Sequence, residues 1–174
     1  AITLPLSIKT IGVTAFANCK NIEAISFPIS VETISNYAFF NCSNLKDVSF
    51  GDVKEIGVSA FEGCSSISVL DLPQNLSIIR NGAFTNCTSL TTLNIPRDLS
   101  MLYGNTFSGC EKIKEVTFSA ARCNTDGKAF AGSTEFTTLT ITDGVEWIPS
   151  HMFENCKYIT GVEIPNSVKH VREF

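Results

Sequence analysis

The sequence predicts an α/β repeat solenoid: a right-handed superhelix of stacked coils with one parallel β-sheet, and short helical turns or irregular segments on the other side. Three observations carry that expectation. Phe16, Phe39, Phe61, Phe84, Phe107, Phe130 and Phe153 follow one another at spacings of 23 residues, with a single spacing of 22. Three residues after each comes Cys19, Cys42, Cys64, Cys87, Cys110, Ser133 or Cys156. Beyond them, apolar residues recur at fixed offsets in every unit. Such a period marks units that cannot bury a core alone and must stack on their neighbours. Residues 1–174 thus form a single domain of about seven repeats of 22–23 residues, with partial repeats at both ends.

Each unit reads in the same order. The segment A-F-x-x-C lacks the dozen residues of helical periodicity that a stable helix needs, so it predicts at most one helical or 3₁₀ turn. Two apolar columns follow, one beginning at Ile22 and Leu45, the other at Ile25 and Val48. A further apolar residue two places on, as at Phe27, Phe50 and Leu72, completes an h-x-h alternation. That is the period of a strand, and Pro28, Pro73, Pro96 and Pro165 stop it. Strands are therefore expected at 23–27, 46–50, 68–72, 91–95, 114–118, 137–141 and 160–164, with a partial one at 2–4. A closing apolar pair, such as Val31 with Ile34 or Leu76 with Ile79, ends the unit.

Two units depart from the pattern. Near Gly51 and Asp52 the turn is one residue short, which accounts for the spacing of 22. After Phe118 the two closing columns hold Arg122 and Thr125, so Cys123 is expected to turn inward in place of Arg122. Phe136 beside Ser133 reads as a larger side chain offsetting a smaller one. The column cysteines are expected to be free buried thiols, since column mates lie a whole unit apart and no C-x-x-C pair suggests zinc. Cys123, off the column, is expected to be the reactive one.

The run Phe27 to Cys42, read as F-P-x-S-V-x-x-I-x-x-x-A-F-x-x-C, closely resembles the BspA-like (Treponema-type) leucine-rich repeats of bacterial surface proteins and of some parasitic protists. The resemblance covers essentially the whole chain. It implies a leucine-rich-repeat superhelix, a cell-surface or secreted location, and adhesion to host proteins or to other microbes. It brings no catalytic motif.

Composition narrows the partners. The net charge of -4, with no run of Lys or Arg, argues against nucleic acid. No apolar run is long enough to span a bilayer, and this segment is expected to make no membrane contact. There is no G-x-S-x-G, Walker loop or H-E-x-x-H, and His151 and His170 stand apart with no catalytic partner. No enzyme activity, metal or cofactor is expected. Asn41, Asn75 and Asn86 head N-x-[ST] sequences, but Asn41 and Asn86 occupy a repeat position that favours Asn or Gly anyway.

Two surfaces remain. The outward strand positions Asp47, Ser49, Asp71, Thr92, Asn94, Glu115, Thr117, Thr138 and Thr140 form a small, mildly acidic face suited to a protein or glycan ligand. The column beside the closing pair is expected to be exposed and gathers Ile78 and Met101, with Tyr103 and Trp147 near them, as an apolar contact patch. A purely structural spacer is the alternative. Because Ala1 and Phe174 fall inside units, the chain is expected to be a piece of a longer array whose ends associate end to end.

Overall fold

The computed structural model describes residues 2–172. Ala1 and Phe174, whose phase frames the expectation about the ends, lie outside them. The described residues carry fourteen short strands, numbered here in chain order.

One side of the solenoid is the expected strand face. It holds β2 (Ala24–Ser26), β4 (Asp47–Ser49), β6 (Val69–Asp71), β8 (Thr92–Ile95), β10 (Glu115–Phe118) and β12 (Thr138–Ile141). All pairing is parallel and one unit apart, so Val116 lies between Leu93 and Leu139. The strands are shorter than expected. At 2–4 and 160–164 only single bridges form, Ile2 with Ile25 and Thr138 with Gly161.

The expectation of one sheet is incomplete. A second column of two-residue strands, also parallel, lines another side: β1 (Thr10–Ile11), β3 (Thr33–Ile34), β5 (Glu55–Ile56), β7 (Ile78–Ile79), β9 (Met101–Leu102), β11 (Asn124–Thr125), β13 (Trp147–Ile148) and β14 (His170–Val171). In each of the first five the second residue is buried and the first faces out. Two residues are too few for a period of two to show in the sequence.

The expected helical turns are absent among the described residues, and hydrogen bonding explains why. Around Phe16, alternate N–H groups serve different partners. Ala15, Ala17 and Cys19 donate within the coil, to Gly12, Thr14 and Phe16 carbonyls, whereas Thr14, Phe16 and Asn18 donate to Asn36, Ala38 and Phe40 of the next coil. Two of these three outward-bonding residues have left-handed backbone, with φ of 55° at Thr14 and 60° at Asn18. A helix needs unbroken right-handed dihedrals and inward bonds throughout. The left-handed position two after each ladder Phe is filled by Asn18, Asn41, Gly63, Asn86, Gly109, Gly132 and Asn155. These are the residue types that tolerate it.

The rings form a continuous internal stack. Phe39, Phe61 and Phe84 are fully buried, with successive centroids 5.2 and 5.3 Å apart and planes within 4° of parallel. Phe16, expected to be nearly buried, is only half so, because no preceding ring covers it among the described residues. Phe136 packs against both Phe130 and Phe153, as its position opposite the small Ser133 predicts.

Each sheet has one fault. The strand face is interrupted between β4 and β6, and the second sheet between β11 and β13. At the first, the short turn puts Gly51 at φ 56°, pressed on the preceding coil, where a Cβ would lie 2.7 Å from the Phe27 carbonyl oxygen. The backbone bonds that elsewhere join neighbouring coils, such as Thr91 N–H to Ser68 carbonyl, are missing between Ser68 and Lys46. Val48 is left half-buried where Ile25 and Leu70 are buried.

Candidate binding face

The strand face brings together the expected site residues. Registry places Thr92, Glu115 and Thr138 in one row and Asn94, Thr117 and Thr140 in the next, with Asp71 at the head of the second. Asp47 and Ser49 stand on β4, across the fault. All are exposed except Thr92 and Thr117, which are half-buried.

Carboxylates beside the strands pair with a neighbouring coil, as Glu23 does with Lys46 and Glu135 with Lys114, but those within the strand face do not. Among the described residues, Asp47, Asp71 and Glu115 on the strand face form no ion pair with Lys or Arg. On the second sheet side, Glu32 sits 3.9 Å from Lys9 and 3.3 Å from Lys54. Glu55 bonds Arg80 at 2.5 Å. Glu146 lies 2.9 Å from Arg122 and 3.4 Å from Lys169. The hydrogen bond from Arg122, aided by Lys169, holds the Glu146 carboxyl below the ordinary carboxylate range. Every one of these pairs joins different coils, so they fix stacking.

The expected apolar patch is corrected by the structure. Ile78, Met101, Tyr103 and Trp147 are half-buried, not exposed. Ile78 and Met101 do pair across one step. Tyr103 lies under the Arg80 guanidinium, 5.8 Å from ring to carbon. Trp147 is held between Arg122 and Arg172, at 5.9 and 4.4 Å, and its indole N–H donates to the Cys123 carbonyl at 2.7 Å. In regular steps two successive backbone N–H groups share that carbonyl position, as Ser100 and Met101 share Ser77. At the second fault Glu146 N–H goes to Ala121 instead, and the indole supplies the missing donor. Trp147 therefore serves stacking.

The thiols also reverse one expectation. Cys123 does turn inward while Arg122 is exposed, but it is fully buried, and desolvation pushes its thiol up to about 12. It cannot be the most reactive cysteine, because the thiolate is the nucleophile. Cys19 is the exposed one. In the column, Cys42, Cys64, Cys87 and Cys110 each donate S–H to the carbonyl of the ladder Phe one coil back, at 3.1 to 3.4 Å. Ser133 lies in the same column with its buried hydroxyl unpartnered. His151 and His170 are exposed, as expected, and His151 Nδ1 lies 2.8 Å from Glu154.

The strand face has two recesses: one of about 560 Å³ beside β12, among Thr140, Gly161 and Glu163, and one at the first fault. A cavity of about 510 Å³ lies between β2, β4 and β6, and another of about 470 Å³ continues it toward Gly51 and Gln74. A smaller apolar cavity of about 210 Å³ lies beneath the last described coil, among Leu139, Phe153, Ile159 and Val162. Among the described residues, no group of three His, Cys, Asp or Glu is placed to hold a metal ion, and no helix is long and apolar enough to cross a membrane.

Comparison with known proteins defines the class. The profile of the BspA type leucine rich repeat region matches residues 1–114 and 54–174, with six copies. The chain belongs to the BspA-type leucine-rich-repeat family. Its fold is similar to a leucine rich repeat protein of T. pallidum, with a TM-score of 0.75 and 22% identity over 93% of this chain and 74% of that one. A leucine-rich repeat protein from Bacteroides ovatus is 26% identical, with a TM-score of 0.66 over 99% of this chain and 50% of the other. A leucine rich cell surface protein from Faecalibacterium prausnitzii is 21% identical, with a TM-score of 0.60 over 94% of this chain and 60% of the other. No curated protein matches the chain in sequence.

Proposed function

We propose that the chain is a non-enzymatic interaction module, secreted or displayed at the cell surface, that holds a protein or glycan ligand on its strand face and so mediates adhesion to host or other cells. The contrast in carboxylate pairing carries this reading. Glu23 and Glu135 beside the strand face, like Glu32, Glu55 and Glu146 on the second sheet, are held by Lys or Arg of neighbouring coils, whereas Asp47, Asp71 and Glu115 within the strands stand unpaired on an exposed field of Ser, Thr and Asn. The surface location is supported by one structural relative, itself described as a cell surface protein.

The test is binding of the fluorescently labelled chain to intact animal and bacterial cells by flow cytometry. Charge reversal on the strand face, Asp71→Lys with Glu115→Lys, is expected to abolish binding. Thr10→Lys, an exposed position of the second sheet, is expected to leave it intact. If neither variant changes binding, or the unaltered chain binds nothing, the solenoid is a spacer.

A further inference from the structure

Of the two recesses on the strand face, the one beside β12 carries a single carboxylate, Glu163, whereas the one at the fault carries two, Asp47 and Asp71. From β6 to β12 the strands are joined by continuous ladders. Between β4 and β6 the ladder stops and the cavity of about 510 Å³ opens, lined from both sides by Lys46, Asp47, Ser49, Ser68, Val69 and Asp71. By repeat position Asp47 stands opposite Val69, and Ser49 opposite Asp71. The two carboxylates are thus diagonal neighbours across the opening, with Val69, on the same strand as Asp71, facing Asp47.

The lining has a definite chemistry. Lys46 is turned to the preceding coil, with Nζ 3.2 Å from Glu23, so it does not neutralise Asp47 or Asp71. Val69 is 58% exposed, a large apolar side chain left on the solvent side of a strand. Two carboxylates beside an exposed apolar side chain match one kind of partner side chain. Lys and Arg carry a cationic head on an aliphatic stem, and they bury the stem while the head finds its counter-charge. A sugar ring would find no aromatic face here, since no Phe, Tyr or Trp lines the cavity.

We infer that the β4–β6 opening is the anchor point of the strand face and takes a lysine or arginine side chain of a protein partner. The inference rests on the strand-face reading above and narrows it from protein or glycan to a protein presenting a basic side chain. The missing residue at Gly51 is then what creates the pocket, because the inter-coil backbone bonds stop beside it.

The experiment is an amide NMR titration of the isotopically labelled chain with N-acetyl-arginine amide. Saturable shifts are expected at residues 46–49 and 68–71, fading as salt rises. Asp47→Asn with Asp71→Asn should abolish them, whereas Glu115→Gln should leave them unchanged. Shifts spread equally along Asp71, Glu115 and Thr140 without saturation would overturn the inference, as would the same shifts produced by maltotriose. Loss of cell binding on strand-face charge reversal, with no arginine response at the opening, would overturn the anchor and spare the face. A localised arginine response with cell binding indifferent to charge reversal would overturn the face reading and spare the pocket.

Discussion

The two faults of this solenoid have different origins and opposite outcomes. Between β4 and β6 a residue is missing, the ladder stops, and no aromatic side chain lies in the gap to close it, so a cavity remains. Between β11 and β13 the chain keeps its length but exchanges Arg122 for Cys123 in the buried column, which shifts the backbone bonding by two residues. There Trp147 takes the Cys123 carbonyl and is clamped by two guanidinium groups, so the gap is filled. A stacking defect thus becomes a site only where the side chains around it are too small to repair it.

Beneath both faults the Phe stack continues, at 5.2 Å between Phe39 and Phe61 and 5.5 Å between Phe130 and Phe153. The largest effect should therefore come from the stack. Phe61→Ala is expected to cost about 3–5 kcal/mol in urea denaturation, by transfer and cavity terms together, and Phe16→Ala distinctly less because that ring is half-exposed. Equal losses at the two would mean that the stack does not bind neighbouring coils as argued.

Next in size is the repaired fault. Trp147→Ala is expected to cost about 2–3 kcal/mol, less than a fully buried ring. Trp147→Phe should cost about 1 kcal/mol, the worth of the indole hydrogen bond. If Phe is as costly as Ala at this position, the indole N–H and not ring packing holds the fault closed.

The open fault is tested at its hinge. Gly51→Ala, at φ 56° and against the Phe27 carbonyl, is expected to cost about 1–2 kcal/mol and to speed hydrogen exchange at 47–49. A neutral substitution would remove the short turn as the cause of the opening.

The smallest effect is kinetic. A thiol reagent should label Cys19 first and Cys123 only on unfolding. Early labelling of Cys123 would show that the second fault is not closed. The same burial gives a pH dependence. Folding raises the Cys42 thiol from 9.0 to about 11 and the Cys123 thiol from 9.0 to about 12. The unfolded chain loses these protons first, so stability is fully present below about pH 9 and declines as pH rises toward 11–12. A flat urea midpoint across that range would contradict the burial.

The repeat, its phase, the parallel strands and the buried columns were legible because each recurs at a fixed spacing with its chemistry unchanged. The second sheet was not, since its strands are two residues long and their outward positions, Thr33, Glu55 and Ile78, share no chemistry. The turn segment was legible in composition, as Asn or Gly before Cys, but its alternation between inward and outward hydrogen bonds is not written in any single unit. The departures at Gly51 and Arg122 could be located from spacing alone. What they lead to could not, because the partner of Trp147 is a backbone carbonyl and the pocket lies where inter-coil backbone bonds are missing. Of the expected site residues, the polar strand face assembles as a surface, while Trp147 and Tyr103 are explained by the arginines they pack on.

The column Lys9, Glu32, Lys54 alternates in sign from one coil to the next, and Glu32 is held from both sides. Copying a single unit into this stretch would place Glu beside Glu or Lys beside Lys at the spacing of adjacent strands, which is destabilising. Copying two units together preserves the alternation. In this stretch, duplication by pairs of units therefore keeps the ion pairs that duplication by single units breaks.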